Sequence, residues 1–344
     1  MLNNFKYIES FQLESGRSLP GFHLAYTVLG ELNEAKDNTV WVFHALTANS
    51  DPAEWWAGLI GEGKLFNPDE HFIICVNMPG SCYGSISPLD HEDFYHGFPL
   101  FTIKDMVAAY QKLKTFLGID KIHIGIGGSM GGQQLLEWAV TEPDLFEHIV
   151  PIATNAFHSP WGIAFNAAQR ISIEADKTWE EKNEQAGING MKAARSIALL
   201  SYRNYETYHI SQSEDDTSIF DDFKSESYQR YQGEKLARRF NAFSYYFLSK
   251  SMDSHNIGRG WESITSALNS IRAKTKVIGI SSDILFPPPE QEFLAAHIPG
   301  ATVNIIHSRY GHDGFLLEFS QIANIIDNFL KESSVLTNAA ISNK

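Results

Sequence analysis

One run constrains the fold of this chain more than any other: Ile122-His123-Ile124-Gly125-Ile126-Gly127-Gly128-Ser129-Met130-Gly131-Gly132. A short apolar strand ends in Gly-x-Ser-x-Gly and passes without a linker into the helical pattern Gln133 to Thr141. A turn from strand to helix over one residue strains the backbone of that residue and exposes its side chain. Positions 127 and 131 must be small, because a Cβ there would collide with a neighbouring strand or helix. Ser129 is therefore the candidate nucleophile. The motif is short and recurs by chance, and the flanking strand and helix are the context that gives it meaning.

Other apolar runs bounded by turn residues read as buried parallel strands: Val40 to Phe43, Phe72 to Val76, Ile149 to Ile152, Val277 to Ile280 and Val303 to Ile306. Amphipathic helical patterns lie between some of them, notably Ile103 to Leu117. Alternating strand and helix predicts an α/β fold, a mostly parallel central sheet with helices on both faces. From about Ser159 to Gly260 the strand runs give way to Gln, Glu, Arg, Tyr and Phe at helical spacing, with a polar loop at Ser211 to Thr217. The expected organisation is a core at 1–158, a helical lid insertion at 159–265, a second part of the core at 266–332 and a disordered tail at 333–344.

A serine hydroxyl needs a base, and the base needs an orienting carboxylate. In α/β-hydrolase architecture these follow the nucleophile in the order acid, then histidine, in loops at strand ends. Asp283 follows the strand ending at Ile280, and His312 follows the strand ending at Ile306. His307 is the competing base and ranks below His312. Acyl transfer also needs donors for a developing oxyanion. The N–H of Met130, next after the serine, is one. Leu46, in the loop His44-Ala45-Leu46-Thr47 after an early strand, is assigned the other.

With these residues in place the chain resembles the homoserine O-acetyltransferases of the α/β-hydrolase superfamily. The resemblance includes His44 to Thr47, Trp55 to Gly61, Cys82 to Ser85, Gly127 to Trp138, Phe165 to Arg170, Tyr228 to Phe240, Ser282 to Pro287 and Tyr310 to Phe315. It implies a ping-pong transfer in which Ser129 takes the acyl group of acetyl-coenzyme A, a co-substrate rather than a bound cofactor, and passes it to L-homoserine for methionine biosynthesis. It further implies that Arg170 binds the homoserine carboxylate, that Asp313 binds its amine, and that the lid helices join a homodimer. Asn77 to Cys82 and Ala48 depart from the glycine-rich family pattern near the acyl pocket. That leaves a succinyl donor or a serine acceptor as alternatives.

A net charge of −14 argues against a nucleic-acid or anionic-membrane surface, yet permits an anionic ligand at a locally basic pocket. No signal peptide and no apolar run near the roughly 20 residues of a membrane helix is visible. Cys75 and Cys82, without an export signal, are expected as free thiols in a reducing cytoplasm. His71, His91 and His96 lack ligand-like spacing, so no metal site is expected. An esterase shares the same triad, and what separates it from a transferase is the exclusion of water from the acyl-serine. An intact triad speaks against a non-catalytic scaffold.

Overall fold

The computed structural model describes residues 2–342. Eight strands form one sheet in the order β1-β4-β6-β5-β7-β8-β9-β10. In chain order they are β1 (Leu2–Tyr7), β4 (Phe22–Leu29), β5 (Thr39–Phe43), β6 (Phe72–Val76), β7 (Ile122–Gly128), β8 (Phe146–Ile152), β9 (Lys274–Ile280) and β10 (Thr302–Ile306), with β2 (Phe11–Gln12) and β3 (Ser18–Leu19) making a small separate hairpin. The strands from β6 to β10 pair in parallel, whereas β1 with β4 and β4 with β6 are antiparallel. The helices are α1 (Pro52–Trp55), α2 (Ile103–Phe116), α3 (Met130–Thr141), α4 (Pro160–Glu174), α5 (Ile188–Tyr202), α6 (Tyr205–Gln212), α7 (Lys224–Ala237), α8 (Ala242–Asp253), α9 (Ile264–Asn269), α10 (Pro288–His297), α11 (Gly314–Leu317) and α12 (Phe319–Ser342).

The period of two along each strand divides the apolar residues between two cores. In β5, Trp41 and Phe43 join the cluster under α2 and α3, while Val40 and Val42 join the one under α12. In β7 the isoleucines 124 and 126 fill the α12 side. The glycines on the opposite face let α3 press close: a Cβ at Gly125 would lie 2.5 Å from Leu135 Cδ1, and one at Gly127 would lie 2.5 Å from the Gly131 carbonyl carbon. This close approach brings the N-terminus of α3 to the carboxyl end of the central strand.

Between β8 and β9 the chain forms α4 to α9 and, among the described residues, no strand. These helices have no separate core. Ile173, Met191, Leu236, Phe243 and Leu248 belong to the same apolar cluster as α2 and α3. They form a cap continuous with the body.

Three expectations need correction. The antiparallel strands β1, at the sheet edge, and β4, between β1 and β6, escape an analysis tuned to apolar runs, because Asn3, Asn4 and Lys6 break up β1 and His23 and Thr27 break up β4. The polar stretch from Ser211 opens with the end of α6, and the irregular segment is 213–223. The tail expected to be disordered from 333 continues α12 to Ser342. Ile322 and Ile326 seat that helix on the sheet, and Ser333 Oγ holds His148 Nε2 at 2.7 Å. Residues 343–344 lie outside the described residues.

Candidate active site

Ser129 occupies the single residue between β7 and α3, with φ 57° and ψ −128°. That left-handed conformation is costly for a residue with a Cβ and persists because its surroundings fix it. The Ser129 N–H donates to the Ile152 carbonyl at 3.0 Å, and Thr154 Oγ1 donates to the Ser129 carbonyl at 2.8 Å. A Cβ at Gly131 would meet the Phe43 carbonyl oxygen at 2.1 Å, so the first turn of α3 tolerates only glycine there.

Asp283 and His312 converge on this turn from the ends of β9 and β10. Asp283 Oδ1 accepts the Leu285 and Phe286 N–H groups at 2.8 and 2.9 Å, which leaves Oδ2 for His312 Nδ1 at 2.7 Å. Both side chains are almost fully buried. The imidazole packs against Phe286 and Phe315, with ring centroids 5.1 and 5.2 Å away. With Nδ1 committed to the carboxylate, Nε2 is the nitrogen available as base. Ser129 and His312 line one cavity of about 340 Å³. No direct hydrogen bond joins their side chains, a separation common in unliganded sites that closes with substrate. His307 is exposed and its carbonyl accepts from Gln321 Nε2 at 2.9 Å, outside the cavity.

The two expected oxyanion donors flank the serine. Met130 is the first residue of α3, where an N–H has no acceptor within the helix and the helix dipole is positive. Leu46 lines the cavity in the loop after β5. Among the described residues neither N–H has a hydrogen-bond acceptor. His44 braces that loop, since its Nδ1 pairs with the Ala45 carbonyl at 2.9 Å and its Nε2 accepts the Met78 N–H at 3.1 Å. Burial holds the His44 pKa down at about 4, so the ring is neutral and suited to that acceptor role. Ala48, one of the departures from the family pattern, also lines the cavity. Asn77 instead grips Ser50, accepting its N–H at 2.7 Å.

The expected pair for an amino-acid substrate is only half present. Asp313 lines the cavity, where burial raises its pKa against the pull of Arg203, whose Nε lies 2.7 Å from Oδ2. Arg170 does not line it. Its guanidinium pairs with Asp253 Oδ2 at 2.6 Å and donates to Ser249 Oγ at 3.2 Å, fastening α4 to α8. One helix that borders the cavity is α5, which packs between α4 and α7 and contributes Arg195 and Tyr202. The Arg195 guanidinium lies over the Tyr202 ring at 5.5 Å and, among the described residues, makes no ion pair shorter than 4 Å. Nothing local in the sequence separates Arg195 from Arg170, because both are arginines within helical spacing. Lys235 and Arg239, at the end of α7, complete the basic wall and were also not foreseen.

Both cysteines are free. Among the described residues one group, His123, Glu147 and His148, brings three metal-binding side chains together. It lies at the starts of β7 and β8, the opposite end of the sheet from Ser129. Both His148 ring nitrogens are engaged, by the His123 carbonyl at 3.2 Å and by Ser333 Oγ at 2.7 Å. No described helix is long and apolar enough to cross a membrane.

A parallel sheet with a strained serine at the end of its central strand, followed by acid and histidine loops, defines an α/β hydrolase. A family profile described as the alpha/beta hydrolase fold matches residues 38–319. The chain is 48% identical over 331 residues to a homoserine O-acetyltransferase of Cyclobacterium marinum, covering 95% of this chain and 94% of that protein. A solved homoserine O-acetyltransferase from Staphylococcus aureus is 28% identical with a TM-score of 0.81, covering 96% of this chain and 95% of that one. A solved acetyl esterase is 25% identical with a TM-score of 0.83, covering 97% and 96%. The chain belongs to the homoserine O-acetyltransferase family, and it is a transferase.

Proposed function

We propose that this enzyme moves an acetyl group from acetyl-coenzyme A to the γ-hydroxyl of L-homoserine through an acyl-serine, as a cytoplasmic step of methionine biosynthesis. The observation that carries the reading is the pairing of a triad with Asp313 and Arg195 around one cavity. A carboxylate and a free guanidinium beside a nucleophile suit the ammonium and carboxylate of an amino acid, which an esterase has no use for.

In the first half-reaction His312 Nε2 takes the Ser129 Oγ proton as Oγ attacks the thioester carbonyl carbon. The oxyanion is held by the Leu46 and Met130 N–H groups and by the positive end of α3. Collapse breaks the carbon–sulfur bond, and the thiolate of coenzyme A leaves with the proton from His312. In the second, the homoserine hydroxyl gives its proton to Nε2 and attacks the acyl-serine. The new ester departs as Ser129 regains a proton. Asp283 holds the ring in the tautomer both steps need.

Trp161, Leu200, Tyr205, Ile210 and Phe220 on the cap are each more than half exposed. They support a homodimer through the cap helices, and a monomer in light scattering would count against it.

Thiol release with acetyl- or succinyl-coenzyme A, offered with homoserine, serine or water, tests the reading. Release that depends on acetyl-coenzyme A and homoserine is expected. Equal release with water alone would make the enzyme a hydrolase.

A further inference from the structure

The wall of the cavity holds more positive charge than one zwitterionic amino acid uses. Besides Arg195, both Lys235 and Arg239 line it. Lys235 lies in the last turn of α7 and Arg239 just beyond its end, four residues on, and both are exposed. Arg239 donates through Nη1 to the Thr47 carbonyl at 2.5 Å and to the Tyr83 hydroxyl at 2.7 Å, and has no carboxylate within ion-pair distance among the described residues. Lys235 makes no hydrogen bond or ion pair among the described residues. The neighbouring acid, Glu234, is taken by Lys192 at 2.8 Å. Apart from Asp313, the carboxylate lining this cavity is Glu54, which accepts from Asn49 Nδ2 at 3.2 Å.

Two unpaired cations at this spacing repel each other. In a chain of net charge −14, acids are in excess, yet none has been placed against them. Such a site focuses positive potential on whatever enters the cavity. Arg239 holds the Thr47 carbonyl, next to Leu46, and uncharged Leu46, Thr47, Ala48 and Trp55 line the same cavity as Ser129. An occupant that matches has a reactive acyl end, a neutral arm and a polyanionic far end. A coenzyme A thioester has this order, with pantetheine as the arm and its phosphates at the far end.

We infer that Lys235 and Arg239 bind the phosphate groups of the acyl donor, holding its nucleotide end at the cavity mouth while the thioester reaches Ser129. This rests on the acyl-coenzyme A reading above. Arg239 also tethers Thr47, next to Leu46, so its loss would disturb the oxyanion loop as well. Lys235 has no such second contact and is the residue to change.

The test compares acetyl-coenzyme A with acetyl-pantetheine, which keeps the arm and lacks the phosphates, using the intact enzyme and Lys235→Glu. The unmodified enzyme is expected to prefer acetyl-coenzyme A in kcat/KM. Lys235→Glu should cut that preference roughly tenfold or more, through KM, the effect of one lost charge-assisted contact. Lys235→Arg should retain it. Raising the ionic strength should erode the preference of the unmodified enzyme in the same way. A preference ratio unchanged by Lys235→Glu would overturn the anchor and spare the acyl-serine mechanism. An unmodified enzyme that cleaves simple acetyl esters but neither thioester would bring down the acyl-coenzyme A reading itself.

Discussion

Asp283→Asn separates the chemistry of the triad from its architecture. Asp283 Oδ1 is fixed by two backbone N–H groups at 2.8 and 2.9 Å, and only an acceptor can occupy that place. An asparagine must therefore keep its oxygen there and turn its amide group toward His312 Nδ1, now 2.7 Å from Oδ2. Flipping the amide would leave two buried donors without acceptors, at about 1–3 kcal/mol each. Facing an N–H donor, Nδ1 must present its lone pair, so the ring proton moves to Nε2. That tautomer cannot accept the proton of Ser129. The expected loss is ~10⁴ in kcat for both half-reactions, or about 5 kcal/mol of transition-state stabilisation. Pre-steady-state thiol release reads the first half-reaction, and urea unfolding reads stability, which should change by no more than about 1–2 kcal/mol. Asp283→Ala is the contrasting variant, since it strips the acceptor from both N–H groups and should lower stability by roughly 2–5 kcal/mol. Retention of more than about a tenth of the activity by a stable Asp283→Asn enzyme would refute the assignment of His312 as a base oriented by Asp283.

Ser129→Ala should abolish thiol release while leaving the unfolding transition in place, and near-normal transfer would remove Ser129 as nucleophile. Arg195→Ala should raise the KM for homoserine at least tenfold with little effect on acylation, because it removes a bidentate carboxylate contact. Arg170→Ala should instead cost about 1–3 kcal/mol of stability by leaving Asp253 without its counter-ion and with Asn166 Nδ2 as its remaining donor, read by urea denaturation. Burial pushes the Glu137 pKa up to about 7 in the fold. Its folded value lies above the unfolded one, so the folded state binds the proton more tightly and stability falls as pH rises from about 4.5 to about 7. Glu137→Gln should therefore match the parent near pH ~4 and exceed it near pH ~8 by on the order of 2 kcal/mol, and equal stability at both would refute the shift.

The parts of this enzyme that local patterning encodes were legible in advance. Strand β6 has the bounds expected from its apolar run, and the turn at Ser129 has glycine where a Cβ would meet backbone, at 2.5 Å for Gly127 and 2.1 Å for Gly131. Asp283 and His312 were legible because each follows a strand whose apolar run announces it. Strands β1 and β4 were not, since polar residues break their apolar runs. The continuation of α12 past Ser333 was missed for a related reason: a polar terminus gains its anchor from His148, a residue distant in sequence.

What the sequence by itself determined is the chemistry along single strand-to-loop transitions: a strained serine, an acid and a base in the required order. Those features depend on residues adjacent in the chain. Which arginine faces the cavity was decided only by tertiary structure. Arg170 and Arg195 have equivalent local settings, and the packing of α5 against α4 and α7 turns one toward Asp253 and the other into the cavity. The basic wall likewise exists only because the end of α7 folds over the loop after β5, a meeting of segments that no local pattern records.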